Sequence, residues 1–450
     1  MATAPAQSVA IGVDLVQPGL YVRALDRPWV ETPFVFQGFR IVGESEIEAL
    51  RTYCNYVYID LGRSDPGAAE AVLAADRRRP VRAEHFTADP DDASNSEVDG
   101  PLPEMVERAR EVPDSPLFVG RAYPDREAFR PRVNLAANRR LRVQSAVTDA
   151  IARVRRDQVV DVGSASRAVS RMAQLVSDDP TASLWLTRMQ AHGDYTTSHA
   201  VNCCVLALAF GQYLGLEEDA LRNLGLGTLL MDVGRVTMPH GLLAKERRLS
   251  ATEWAFVKRH VANGVRLLGR SSLPGDALDI VRMHHERVRG TGYPKGLVGD
   301  RIPWTALMAG LVDSYDAMLR RRPYRDAYEP DAALQVLYEQ ADATFGRDLV
   351  ESFIRYLGAY PVGTLVELDN RAIGVVVGNR PGAGLWPTVL LVRNADRRPF
   401  GKRLLLNLAA ANEQGSRAPA RSVRRTLSPR EANVHVGKVV ATEFGMAEGY

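Results

Sequence analysis

The hydrophobic pattern divides the chain into regions of different texture. In residues 8–83, VAIGVDLVQPGLYV predicts two short strands about the Pro18-Gly19 turn. ESEIEALRTYC predicts a helix with Ile47, Leu50 and Cys54 on one face, and YVYID an alternating strand. Together they read as a small α+β domain. Residues 84–115, including ADPDDASNSEVDGPLPE, are acidic and rich in breakers. They hold too little apolar surface to offset the cost of ordering, and a flexible linker is expected.

A helical period returns over residues 136–180, predicting a connecting helix or helical hairpin, and is strongest over 183–356. SHAVNCCVLALAFGQYLGL is apolar nearly all round, the mark of a buried helix. LEEDALRNLGLGTLLMD, ATEWAFVKRHVANGVRLL and LPGDALDIVRMHHE predict further helices, and Ser250 with Glu253 forms a capping box. Over 358–450, VGTLVELDNRAIGVVVG and WPTVLLVRN alternate and are β-branched, predicting a small β-rich appendage that runs into a solvated, basic tail. The fold class read from this pattern is mainly α, with a small α+β domain before the helices and a β-rich piece after them.

Composition changes this picture little. A chain of 450 residues is too long for one core and points to about two or three domains. The net charge of +3 is negligible at this length, so nothing global indicates nucleic acid. Cys54, Cys203 and Cys204 form a sparse set without CxxC spacing, which fits a reducing compartment rather than a disulfide framework. MATAPAQSVAIGVDL lacks the basic and apolar parts of a signal peptide, and no apolar run reaches the roughly 18–20 residues of a membrane span. A cytoplasmic protein is expected.

Candidate chemistry lies in the helical region. Its sparse His, Asp and Glu form the series His199, Asp232, His260, His284-His285-Glu286 and Asp313, which takes four of the chain's 8 histidines. One histidine on an apolar helix is ordinarily a core residue. Four, together with two isolated aspartates on apolar faces, ask for a common explanation. Buried carboxylates need partners, and imidazoles clustered with carboxylates are the donors that Zn, Fe or Mn sites use.

The run HHERVRGTGYPKGLVGDRIP and the later LVDSYDAMLRRRPYR resemble the HD-GYP family of bacterial signalling phosphodiesterases. The resemblance covers residues 196–353 and rests on the HHE, GxGYP, DxYDA and RPYR elements. Residues 8–62, with LDRPWVETPFVFQGF, also resemble the N-terminal domain that often precedes such modules. The resemblance implies a helical HD-type bundle, cyclic di-GMP as substrate, and metal-assisted hydrolysis to pGpG or GMP. It implies one metal position formed by His199, the residue at 231, Asp232 and Asp313, and a second formed by Asp232, His260, His284 and His285. It further implies contact with the nucleotide through Tyr293, Arg322 and Arg325, guanidinium being suited to phosphate. A third metal would need a Glu where Tyr195 stands. Partner proteins are expected at the GYP loop or the N-terminal domain.

The sequence departs from the family at Met231, which stands where the HD histidine belongs, at Arg235 in place of the usual Lys, and at Arg289 in place of an Asp. A neutral thioether is a poor match for the harder divalent ions. Loss of even an outer partner costs about 10–100-fold in metal affinity or activity. The expectation is one firm metal and one weak one, with Asp232 and Arg235 at the catalytic position and hydrolysis impaired. The protein would then act mainly as a nucleotide-responsive or partner-binding module. The alternatives are an active phosphodiesterase and a metal-free interaction scaffold. In GLGTLLMD, Met231 also reads as an ordinary core residue. Cys203 and Cys204 read as packing, and His192 and His240 have no assigned role.

Overall fold

The computed structural model describes residues 8–26, 39–41, 43–76, 126–157, 159–188, 195–239, 249–269, 271–320, 327–379, 385–412 and 421–444, with residues 242, 245 and 247 between them. The expected linker and most of LDRPWVETPFVFQGF lie outside these residues. The chain divides into two compact units, residues 1–99 and 100–450.

In the first unit, β1 (Ser8–Gly12), β2 (Tyr21–Leu25), β3 (Phe39–Arg40) and β4 (Tyr56–Asp60) form an antiparallel sheet in the order β1-β4-β2-β3. Helices α1 (Glu44–Tyr53) and α2 (Pro66–Asp76) accompany it. The amphipathic face of α1 is explicit: Ile47, Leu50 and, just beyond the helix, Cys54 are all buried.

The second unit opens with α3 (Arg126–Asp157), α4 (Val162–Asp178) and α5 (Pro180–Arg188). The helical stretch thus begins earlier than the period indicated and comprises three helices. In α4, Ala165, Ala168, Val169, Met172, Leu175 and Val176 form a buried stripe at helical spacing, and Asp161 caps the N-terminus by accepting from the Ser164 amide at 2.9 Å. Then follow α6 (Tyr195–Tyr213), α7 (Glu218–Leu230), α8 (Ala251–Lys258), α9 (His260–Leu268), α10 (Gly275–Met283), α11 (Trp304–Met318), α12 (Pro330–Glu339), α13 (Ala341–Thr344) and α14 (Arg347–Leu357). Helix α6, apolar all round, is the hub, and α3, α4, α5, α7, α11 and α14 pack on it. The run read as one helix from Ala251 breaks at Arg259 into α8 and α9. The Ser250–Glu253 capping box starts α8.

Two glycines let the chain close on itself where the candidate residues meet. Residues Val233–Thr237 form a 3-10 turn after α7, and a Cβ on Gly234 would collide with the carbonyl of His260 and the amide of Gly264. A Cβ on Gly310 in α11 would strike the carbonyl of His284. The first close approach brings Asp232 to His260, and the second brings α11, with Asp313, to His284. Overpacking of this kind costs about 1–3 kcal/mol. Gly234→Ala is therefore expected to lower the chelated protein's melting temperature by several degrees and to weaken divalent-metal binding, as read by thermal melts and metal titration. Unchanged values would show that this approach does not set the site.

The C-terminal region forms the expected small β-rich piece, and arginines of its basic tail are built into it. Strands β5 (Leu365–Leu368), β6 (Ile373–Gly378), β7 (Thr388–Arg393) and β8 (Pro399–Asn407) are followed by α15 (Leu408–Asn412), β9 (Val423–Leu427), α16 (Pro429–Ala432) and α17 (Val436–Phe444). The five strands form one sheet in the order β8-β7-β6-β5-β9. One face packs on Leu175, Ala182 and Trp185, and the Trp185 indole donates to the Val377 carbonyl at 2.7 Å. Arginines assigned to a solvated tail are engaged: Arg397, Arg424 and Arg425 converge on buried Glu367, and Arg403 pairs with Glu443. A buried carboxylate at the sheet recruits the cations that the sequence pattern would leave in solvent. Among the described residues, no helix is long and apolar enough to cross a membrane.

Candidate metal centre

Asp232, at the end of α7, lies between two groups of side chains. On one side stand His260 at the start of α9 and His284 and His285 after α10. Their donor atoms and an Asp232 oxygen all lie within 4.8 Å of one another. The His260 Nδ1–H donates to the Val257 carbonyl at 2.8 Å, and the His284 Nδ1–H is directed at the Ile280 and Val281 carbonyls, both at 3.2 Å. Carbonyls only accept, so these bonds fix the tautomers and turn both Nε2 lone pairs inward, as ligating imidazoles require. The two Nε2 atoms lie 3.4 Å apart, and 3.2 Å and 3.9 Å from Asp232 Oδ1. Burial holds the pKa of all three histidines below the usual range, that of His284 at about 4, so the rings are neutral.

This side is electrostatically unfinished. Two lone pairs and a carboxylate converge, and neither Asp232 oxygen accepts an aligned hydrogen bond. His285 Nε2 is likewise buried without one. Such groups are costly unless a cation satisfies them. Three neutral imidazoles and a carboxylate fit a divalent Zn, Fe or Mn ion.

The other side joins His199 on α6, Asp232 and Asp313 on α11, again within 4.8 Å. Here the protein's own groups satisfy one another. His199 Nε2 lies 2.8 Å from Asp313 Oδ1 and 4.0 Å from Asp232 Oδ2, while Nδ1 lies 2.6 Å from Asp316 Oδ2. Burial opposes a charge on His199, but its contacts with Cys203, Asp313 and Asp316 outweigh burial and raise its pKa well above the usual range. The carboxylates are the physical source, because burial pushes the Cys203 thiol up to about 12 and keeps it neutral. A proton thus occupies His199, and a cation here must displace it.

Met231 is fully buried beside Asp232 and brings no nitrogen donor to this second group. Arg235 Nε forms an ion pair with Asp232 Oδ1 at 2.8 Å, so the guanidinium lies against the shared carboxylate. Tyr293 stacks on His285 at 4.5 Å between ring centroids, with Lys258 Nζ 5.1 Å over its ring. Glu286 anchors this loop by accepting from the Lys295 and Leu297 amides at 2.7 Å and 2.9 Å, a role the sequence reading did not assign. Arg289 is exposed and donates to the Asp342 carbonyl at 3.2 Å. Arg322, Arg325, His192, His240 and the side chain of Tyr195 lie outside the described residues. Asp316 and Asn202, which support His199, were also missed. Their signal was a second Asp three residues after Asp313 and one Asn within the apolar run that follows His199.

Residues 171–349 match an HD domain, and residues 8–165 match a domain of unknown function, DUF3391. A cyclic di-GMP phosphodiesterase of Pseudomonas aeruginosa is 29% identical over 382 residues, 84% of this chain and 84% of that protein. The cyclic di-GMP phosphodiesterase response regulator RpfG of Xanthomonas campestris is 38% identical over 147 residues, 32% of this chain and 39% of its own. A solved HDG"Y"P protein from Bdellovibrio bacteriovorus aligns with 77% of this chain and 98% of its own at 16% identity, with a TM-score of 0.43. The chain thus carries an HD domain preceded by a DUF3391 region, and the relatives it resembles are cyclic di-GMP phosphodiesterases of HD-GYP type.

Proposed function

We propose that this protein is a cyclic di-GMP signalling protein in which hydrolysis is impaired and nucleotide or partner binding is the main output. The observation that carries this reading is the asymmetry about Asp232. One side presents three neutral imidazoles and a carboxylate that accepts no aligned hydrogen bond, with the Arg235 guanidinium as its ion-pair partner. The other lacks an imidazole at position 231, and its His199 Nε2 is already engaged by Asp313. His260, His284, His285 and Asp232 would hold one divalent ion firmly, and His199, Asp232 and Asp313 a second one weakly. Bound ions supply charge that offsets the negative charge developing on a phosphoryl oxygen. The remaining work falls to the chain: Tyr293 covers His285 and limits water access, Arg235 sets a cation beside Asp232, and Arg322 and Arg325 supply phosphate donors. The relatives' phosphodiesterase names support cyclic di-GMP as the nucleotide.

Cyclic di-GMP turnover and binding should be measured on protein loaded with excess Mn(II) or Fe(II). The expected result is nucleotide binding with turnover at least about 10–100-fold below that of an intact two-metal relative, the scale on which lost metal partners act. Turnover equal to such a relative contradicts impairment and returns the active-enzyme reading. Absence of nucleotide and metal binding leaves only an interaction scaffold.

A further inference from the structure

A line of buried polar side chains runs from the connecting helix to the metal centre. On α3, Arg140, Gln144, Val147 and Val154 are buried at helical spacing. This face is apolar toward its end and polar at Arg140, where a leucine would pack at lower cost. A buried guanidinium persists when it is hydrogen-bonded, and Arg140 Nη2 donates to Asn202 Oδ1 at 2.6 Å. The Asn202 amide donates in turn to Asp316 Oδ1 and to the Thr187 carbonyl, both at 2.8 Å. Asp316 Oδ2 meets His199 Nδ1 at 2.6 Å. Arg320, the last described residue before the RPYR segment, reaches the same Asp316 oxygen at 2.5 Å. Asp316 is therefore the point at which α3, α6 and α11 share one hydrogen-bond network.

We infer that Asp316 is a positioning residue for His199, and that Arg140, through Asn202, couples the placement of α3 to the weaker metal site. The inference rests on the reading of His199 as a ligand. Helix α3 lies within the stretch matched by DUF3391, yet it belongs to the compact unit that holds the HD domain. Through Arg140 it joins the network that holds His199. A hydrogen-bonded carboxylate behind a ligating histidine fixes the ring and raises its basicity. Helix shifts of about 1–2 Å are a common form of switching, and one of that size would part Arg140 from Asn202. The amide would then be held only through its nitrogen, by the Thr187 carbonyl and Asp316, and Asp316 would rely on Arg320 and a less firmly fixed Asn202 for its orientation toward His199. Arg139 is a natural control on the same helix: it is exposed and pairs with Asp178 on α4.

The test is Mn(II) titration of chelator-stripped, full-length protein followed by electron paramagnetic resonance, in the wild-type and Met231→His backgrounds. Arg140→Met is expected to weaken the second Mn(II) equivalent about 10-fold or more while leaving the first unmoved. Arg140→Lys should recover part of this loss, and Arg139→Met should match its parent. A purely structural role would weaken both equivalents alike. Should Arg140→Met fail to fold, Asn202→Ser carries the same expectation. A second equivalent that is unchanged by these variants overturns the coupling alone. A second equivalent missing from both backgrounds overturns His199 as a ligand, and the coupling with it.

Discussion

Asp232→Asn is expected to remove divalent metal from the protein at both positions while leaving the metal-free fold nearly as stable as the wild type. Asp232 contributes to both donor groups, so one substitution strikes both. The carboxamide keeps the shape but loses the charge that three neutral imidazoles cannot supply, and metal affinity should fall by at least about 100-fold, the upper end of what lost partners cost. The wild-type carboxylate is buried without an aligned hydrogen bond, a situation that costs about 1–3 kcal/mol. The carboxamide NH2 can instead donate to the His260 Nε2 lone pair, 3.2 Å from that oxygen, which offsets the loss of the Arg235 ion pair. The expected signature is metal analysis near zero with a melting temperature in chelator within a few degrees of the wild type. Retained metal would place the ion elsewhere.

Met231→His should act in the opposite direction. In chelator it buries an imidazole without an assured partner at a position that is 1% exposed, costing about 1–3 kcal/mol. With metal present it completes a fourth donor beside His199, Asp232 and Asp313. The second equivalent should tighten at least about 10-fold, and cyclic di-GMP turnover should rise with it. Metal at about 100-fold over its dissociation constant stabilises by about 2.7 kcal/mol. The variant should therefore melt below the wild type in chelator and recover most of the difference in Mn(II). A variant with unchanged metal content and turnover would mean that position 231 does not face the second ion.

Much of the site could be read before any coordinates. His199, Asp232, His260, His284, His285 and Asp313 stand out because charged or titratable groups interrupt otherwise apolar helices, and the structure brings all six together. Met231 is different: on an apolar helix nothing marks it, and only its neighbour Asp232 in a known motif makes it conspicuous. The supporting network was not legible for a physical reason. Arg140, Asn202 and Asp316 are separated by 62 and 114 residues, and periodicity reports which face is buried without naming the partner across the interface. The same limit hid the C-terminal arginines, whose clustering reads as a solvated tail until Glu367 is placed among them. Arg289, a departure from the motif, is exposed and donates to the Asp342 carbonyl, a partner that the motif does not name.

The central claim is that Asp232 separates a complete cation site from one short of a donor. The most direct test is an anomalous-scattering map from crystals of the full-length protein grown with Mn(II). The account predicts a strong peak within coordination distance of Asp232 and the His260, His284 and His285 nitrogens, with a weaker one toward His199 and Asp313. Two peaks of equal strength, or a sole peak on the His199 side, would contradict it.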